Sequence, residues 1–101
     1  MWDGTPCVYI LASGYLGTLY VGATSNLVGR VQQHREGKFD GFTKEHRIKR
    51  LVWYEAGEDI EGAFAREKTM KKWPHDWKCN LIERQNPEWN DLAVGLGLPP
   101  L

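Results

Sequence analysis

With 101 residues, 42% of them hydrophobic and 26% charged, the chain has room for one compact domain and one core, and its balance excludes a disordered or fibrous protein. No apolar run approaches the length of about 20 residues that a bilayer-spanning helix needs, and Met1 to Pro6 is too polar for a signal peptide, so a cytoplasmic protein without a membrane partner is expected. Thirteen Lys plus Arg balance thirteen Asp plus Glu, and total charge therefore gives no attraction for a polyanion. The distribution is uneven. Arg30, Arg35, Lys38, Lys44, Arg47, Lys49 and Arg50 crowd one stretch against three acidic residues, while Glu55 to Glu61 holds four acidic residues and no basic one. Cys7 and Cys79 lie far apart without metal-ligand spacing and are expected to be reduced.

Along the chain, Cys7 to Ala12 and Thr18 to Thr24 are β-branched and aromatic runs around Ser13-Gly14-Tyr15-Leu16. Gly14 suits the opening of a type II′ hairpin turn, and pairing Ser13 with Leu16 puts Tyr9 directly opposite Tyr20, with both phenols on one face. After Thr24-Ser25-Asn26, Leu27 to Arg35 reads as a helix, with Arg30 and His34 four apart on one side. Leu51 to Glu55 reads as a third strand. Asp59 to Lys72 reads as a helix whose stripe runs Ile60, Ala63, Phe64, Glu67, Lys71, so a carboxylate interrupts an apolar seam. Asp76 suits the cap of a last helix through about Arg84, with Pro87 beyond it, and residues 94 to 101 read as an irregular tail.

A carboxylate at a core position is paired, neutralised or bound to a cation, because an unpaired buried charge is costly. For Glu67 the structural alternative to a metal is a salt bridge with Arg30 or a lysine. The tyrosines have an ordinary alternative in cross-strand packing, and His34 in a place at the core edge.

The combination resembles a known family. Val8-Tyr9 followed by Leu19-Tyr20-Val21-Gly22 is similar to the paired motifs of the GIY-YIG nuclease superfamily, and the likeness continues through Thr24-Ser25-Asn26-Leu27, Arg30, His34, Leu51-Val52-Trp53-Tyr54-Glu55 and Ala65-Arg66-Glu67-Lys68. It covers residues 7 to about 91, and points to small stand-alone bacterial members related to the nuclease domain of the excision-repair incision subunit. The resemblance implies an α/β (α+β) fold in one domain over 1–101, a three-stranded antiparallel sheet flanked by helices. It further implies a metal-dependent endonuclease that hydrolyses phosphodiester bonds in DNA, structure-specific and repair-related, acting on branched or damaged DNA as a monomer or weak homodimer. Carried over residue by residue, Tyr9 and Tyr20 would position and deprotonate the attacking water, Arg30 would stabilise the phosphate charge, His34 would assist a tyrosine, and Glu67 would ligate one Mg²⁺ or Mn²⁺. Pro87-Glu88-Trp89-Asn90 resembles the family's closing motif, making Asn90 its candidate asparagine over Asn80 or Asn86. Cys7 stands in place of a glycine and Val21 in place of an isoleucine. Ala23 stands where some relatives have a lysine, which takes one phosphate contact away.

Two other functions compete with the enzyme. A nucleic-acid-binding module with vestigial chemistry would use the basic stretch together with Trp53 and Tyr54, and a protein-interaction domain would use the five tryptophans and the Leu-Pro tail. The presence of all five catalytic residue types favours the nuclease, since a carboxylate beside phosphate repels its ligand unless a metal intervenes.

Overall fold

The computed structural model describes residues 4–38 and 41–101, with the backbone alone at 42 and 43. Met1 to Asp3 of the polar start, and Asp40 of the mixed-charge stretch, lie outside the described residues. The elements run β1 (Cys7–Ala12), β2 (Leu19–Thr24), α1 (Leu27–Arg35), the short α2 (Gly41–Glu45), β3 (Arg50–Ala56), α3 (Ile60–Lys71), α4 (His75–Gln85) and a 3₁₀ turn at Val94–Leu96. The three strands form one antiparallel sheet in the order β2-β1-β3. This is the α+β architecture expected from the resemblance.

All six residues of β1 are buried, which follows from its central position with both faces of the sheet covered. Successive side chains of a strand alternate between faces. Val8, Ile10 and Ala12 join Val21, Ala23, Ala63, Met70, Ile82 and Trp89 in one core layer, against α3 and α4. Cys7, Tyr9 and Leu11 join Leu27, Val31, Ile48, Leu51 and Ala93 in a second layer, against α1 and the C-terminal segment.

The hairpin register differs from the expected one. Tyr9 pairs with Gly22 and Tyr20 with Leu11, two residues away from a Tyr9–Tyr20 pairing. The reason is the loop, which is longer than a two-residue turn. Ser13 N–H donates to the Thr18 carbonyl at 2.9 Å and Thr18 N–H to the Ser13 hydroxyl at 2.9 Å, enclosing a tighter turn closed by Gly17 N–H on the Gly14 carbonyl. The left-handed residue is Leu16, at φ 57°, and Gly14 is not in that region. Because a slip of two preserves the face of every side chain, both tyrosines still point the same way.

A β-bulge in β3 sets the other side of the sheet. Ile10 pairs with Trp53 but Leu11 with Leu51, leaving Val52 as the extra residue, and a bulge of this kind turns two neighbouring side chains toward one face. Val52 and Trp53 accordingly both enter the layer under α3 and α4. The Val52 carbonyl is taken by Asn86 Nδ2 at 3.0 Å, and the Leu51 carbonyl by Leu92 N–H at 2.8 Å. The C-terminal segment thereby occupies the outer edge of β3, an edge that would otherwise present unpaired backbone groups.

Helix starts follow from local chemistry. Asn26 Oδ1 accepts from Gly29 N–H at 3.0 Å and Asp59 Oδ1 from Gly62 N–H at 2.6 Å, each satisfying an orphan donor of the first turn. Asp76 is not the cap of α4. The helix begins two residues earlier than such a cap implies, at His75 after Pro74, and Asp76 falls in its first turn, where a carboxylate faces the positive end of the helix dipole. Phe64 likewise departs from the expected stripe. The buried residues of α3 are Ala63 and Met70, with Glu67 half-buried between them and Phe64 47% exposed.

The tail is irregular in backbone yet packed in place. Arg35 holds it, through a 2.6 Å salt bridge to Asp91 and a 2.8 Å hydrogen bond to the Pro99 carbonyl, while Leu92, Leu96 and Leu98 lie against the α1-side core. Arg50 donates to the Trp89 carbonyl at 3.0 Å. Two of the seven basic residues in the 30–50 stretch therefore serve the fold.

Burial leaves a pH signature at Cys7, whose thiol it pushes from an ordinary 9.0 up to about 11. An unfolded chain releases this proton near pH 9 and the folded chain near 11, so between these values the folded state binds more protons and stability falls as pH rises. Thermal melting from pH 9 to pH 11 is expected to show a steadily falling midpoint, with a shallower slope for Cys7→Ala. Equal slopes in the two series would show that the thiol carries none of the alkaline loss.

Candidate functional site

The site begins with a strand position that lacks a side chain. A Cβ placed on Gly22 would overlap the Tyr9 phenol, lying 2.8 Å from Cε2 and closer still to Cζ and the hydroxyl. The bare backbone of β2 thus lets the Tyr9 ring lie across it toward α1. There the Tyr9 hydroxyl meets His34 Nε2 at 3.2 Å. Leu27, Val31 and His34 form the buried stripe of α1, at the i, i+4, i+7 spacing that places them on one face. The histidine is therefore brought to the tyrosine by the same packing that docks the helix.

Tyr20 completes the aromatic group. Its ring centre is 6.5 Å from that of Tyr9 and 5.1 Å from that of His34, and the Tyr9 and His34 rings meet edge to face at 6.1 Å. Tyr9 is fully buried, whereas Tyr20 is partly exposed. Burial pushes the Tyr9 phenol well above the ordinary tyrosine range and the Tyr20 phenol adds to this; Arg30, which also hydrogen-bonds the phenol, pulls it down, and Glu67 pushes it up again. Tyr9 is accordingly neutral in the free protein, and the same interactions place Arg30 and Glu67 at its side.

Glu67 comes from the helix that packs on β2 and β1. It lies 2.8 Å from Lys71 Nζ, one helical turn on, with side-chain exposures of 17% and 50%. Lys71 Nζ in turn stands 5.7 Å from the centre of the Tyr20 ring. The lysine partner allowed for Glu67 in the sequence is thus present, at the protein surface. Lys71 is the member of the group that sequence reading placed on the helix stripe without a role, and its i, i+4 spacing from Glu67 was the available signal.

The structure brings together Tyr9, Tyr20, Arg30, His34 and Glu67. Asn90 is elsewhere, outside β3 and across β1 from Tyr20. Its backbone N–H donates to Asn86 Oδ1 at 2.9 Å and its carbonyl accepts from Asn86 Nδ2 at 2.9 Å. The Asn90 side chain is exposed, and Asn86 is the buried asparagine of the closing motif. Ala23 faces the α3 and α4 layer, so the residue type at that position does not alter the Tyr9 face. Among the described residues no group of three His, Cys, Asp or Glu side chains forms a metal cluster.

A family model described as the GIY-YIG catalytic domain matches residues 5–80. The chain belongs to the GIY-YIG family. It is 40% identical over 72 residues to a UPF0213 protein of Syntrophus aciditrophicus, covering 70% of this chain and 82% of that one. To a UPF0213 protein of Pediococcus pentosaceus it is 30% identical over 75 residues, covering 74% and 79%. The solution NMR structure of the UPF0213 protein BH0048 from Bacillus halodurans superimposes with a TM-score of 0.53 at 26% identity, covering 86% of this chain and 92% of that one. Membership of this nuclease family agrees with the gathered residues, and among the described residues no helix is long and apolar enough to cross a membrane.

The contact between Gly22 and the Tyr9 ring makes a direct prediction for the GIY-YIG core. Gly22→Ala is expected to destabilise by about 1–3 kcal/mol through overpacking, at roughly 4–8 °C of melting midpoint per kcal/mol. A variant that melts with the parent would mean that the ring does not lie over that glycine.

Proposed function

We propose that the chain is a metal-dependent endonuclease that hydrolyses phosphodiester bonds in DNA, acting on branched, flapped or damaged structures in repair. The observation that carries this reading is the Tyr9–His34 contact of 3.2 Å, set beside an arginine, a second phenol and a carboxylate. Core packing alone does not call for a buried polar pair surrounded by charges. A module that merely bound DNA would have no use for Glu67, whose charge opposes phosphate.

The donor set suits one Mg²⁺ or Mn²⁺. Mg²⁺ keeps several waters and takes one or two carboxylates together with substrate phosphate oxygens, and Glu67 offers a single, partly exposed carboxylate. Bound by Glu67, the ion supplies positive charge that offsets what develops on the leaving oxygen.

The remaining steps belong to the side chains. Arg30, with a planar fork that matches phosphate, holds the scissile group and offsets its charge. Tyr20, the partly exposed phenol, orients the attacking water. A neutral phenol accepts a proton by yielding its own, and His34, packed against both tyrosines, is the group that takes it near neutral pH. Tyr9, buried and protonated, fixes the His34 ring from behind through its hydroxyl. Lys71 keeps the carboxylate neutralised when no DNA is present, so the cleft does not repel its substrate.

Glu67→Gln is expected to abolish cleavage in an assay on single-stranded, duplex, flap and four-way-junction DNA with Mg²⁺, Mn²⁺ and EDTA arms. Because the pair it breaks is a surface i, i+4 bridge worth about 0.3–0.5 kcal/mol, the melting midpoint should fall by no more than roughly 4 °C. A variant that still cleaves would sink the metal role of Glu67, and an unaltered protein that cleaves none of these substrates would sink the enzymatic reading. A drop of tens of degrees would make Glu67 a structural residue.

A further inference from the structure

The aromatic residues of the α3–α4 junction take no part in the site just described. Trp73, in the turn after α3, and Trp77, in the first turns of α4, meet edge to face with ring centres 6.0 Å apart. Arg66 lies over the Trp73 ring at 5.4 Å from its centre, which fixes one wall of the pair. With Asn80, Leu81 and Arg84 the two indoles line a groove of about 290 Å³. Trp77 is 57% exposed, a large flat apolar surface that folding leaves in water.

The surroundings of this groove are cationic. From Arg66 to Arg84 the chain carries six Lys or Arg residues against three carboxylates. Arg66 is paired with Glu55 at 3.5 Å and Lys71 with Glu67 at 2.8 Å, and Glu83 accepts from the Trp89 indole N–H at 2.9 Å, which leaves four cations against Asp76. Aromatic faces beside cations are what a single-stranded nucleic acid requires, since bases stack on the rings while the phosphates meet the charges. A paired base is already stacked within its helix. An apolar protein segment would offer no partner to Arg84, which lines the groove.

Lys71 and Lys72 link the groove to the candidate cleft along the chain. Lys71 reaches the Tyr20 ring on one side, is followed by Lys72 at the end of α3, and precedes Trp73 by two residues.

We infer that the Trp73–Trp77 groove holds an unpaired base of a DNA strand whose phosphates meet the cations around it, so that the protein favours substrates with a single-stranded branch. The choice of DNA as occupant rests on the nuclease reading above. The groove adds to that reading a means of selecting structure without reading sequence.

Fluorescence anisotropy with a labelled DNA flap and a labelled blunt duplex tests it, in EDTA so that nothing is cut. Trp77→Ala is expected to weaken flap binding about 5- to 100-fold while duplex binding stays within about twofold, and Trp77→Phe, which keeps an aromatic face, is expected to recover most of the loss. Equal losses on both substrates, no loss on the flap, or no recovery in Trp77→Phe would overturn the groove assignment. If the unaltered protein binds the flap and Trp77→Ala binds it equally well, the groove fails and the nuclease reading stands. If the unaltered protein binds neither substrate, both fail together.

Discussion

Much of the molecule depends on the close approach of the Tyr9 ring to the backbone of Gly22. A tyrosine on the central strand of a covered sheet has two ordinary choices, to pack flat within its layer or to send its hydroxyl toward water. Tyr9 takes neither, because the neighbouring strand offers no side chain at the paired position. The ring crosses β2, and its hydroxyl finds the imidazole of α1. That contact ties β1 to α1, whose buried stripe of Leu27, Val31 and His34 sets which side faces inward, and Arg30 stands one turn before His34. A single missing Cβ thus allows the contact between the phenol and the imidazole.

The second half of the assembly comes from the other side of the sheet. β1 is buried on both faces, so helices must cover both, and α3 does so against β2 as well as β1. Ala63 and Met70 anchor α3 in its apolar layer. Glu67 lies between them in the seam, where it influences Tyr9, and Lys71 reaches Tyr20. Residues from two strands and from helices on opposite layers meet because the sheet is narrow, with β2 at its edge. The bulge at Val52 and the Asn86–Asn90 clip secure the opposite edge, so β3 is held by the C-terminal segment while β2 remains beside the candidate cleft.

How legible this was in the sequence differed by element. α1 and α3 were readable to within a residue or two because each carries a side-chain cap and a periodic apolar stripe. The hairpin was readable in existence and in facing, but its register was displaced by two, since the Ser13 hydroxyl and a left-handed Leu16 build a longer loop than the Gly14 signal suggests. Period-two alternation is insensitive to an even slip, which is why the tyrosines still share a face. The fate of Arg35 and Arg50 was not legible. Counting cations gives a basic stretch, whereas their partners Asp91, Pro99 and Trp89 come from the far end of the chain. Asn86 ranks below Asn90 in the sequence for a similar reason, because its importance lies in a carbonyl freed by a bulge that no local pattern announces. Phe64 has an apolar type at roughly helical spacing from the seam, yet the helix turns it outward, one position past the buried Ala63.

A chain without net charge can still serve a polyanion if its charges are arranged rather than summed. Here the carboxylates of Glu55 to Glu61 lie at the end of β3 and the start of α3, while Arg30 of α1 and Lys71 of α3 sit about the phenols. The one carboxylate among those cations is Glu67, and its bridge to Lys71 is half in water. An exposed pair of this kind is worth at most about 1 kcal/mol, far less than the 3–5 kcal/mol at stake when a buried pair is broken. It therefore neutralises Glu67 at rest without holding it fast. Exchange of that partner is consequently inexpensive, and the lysine set loose would stand beside Tyr20.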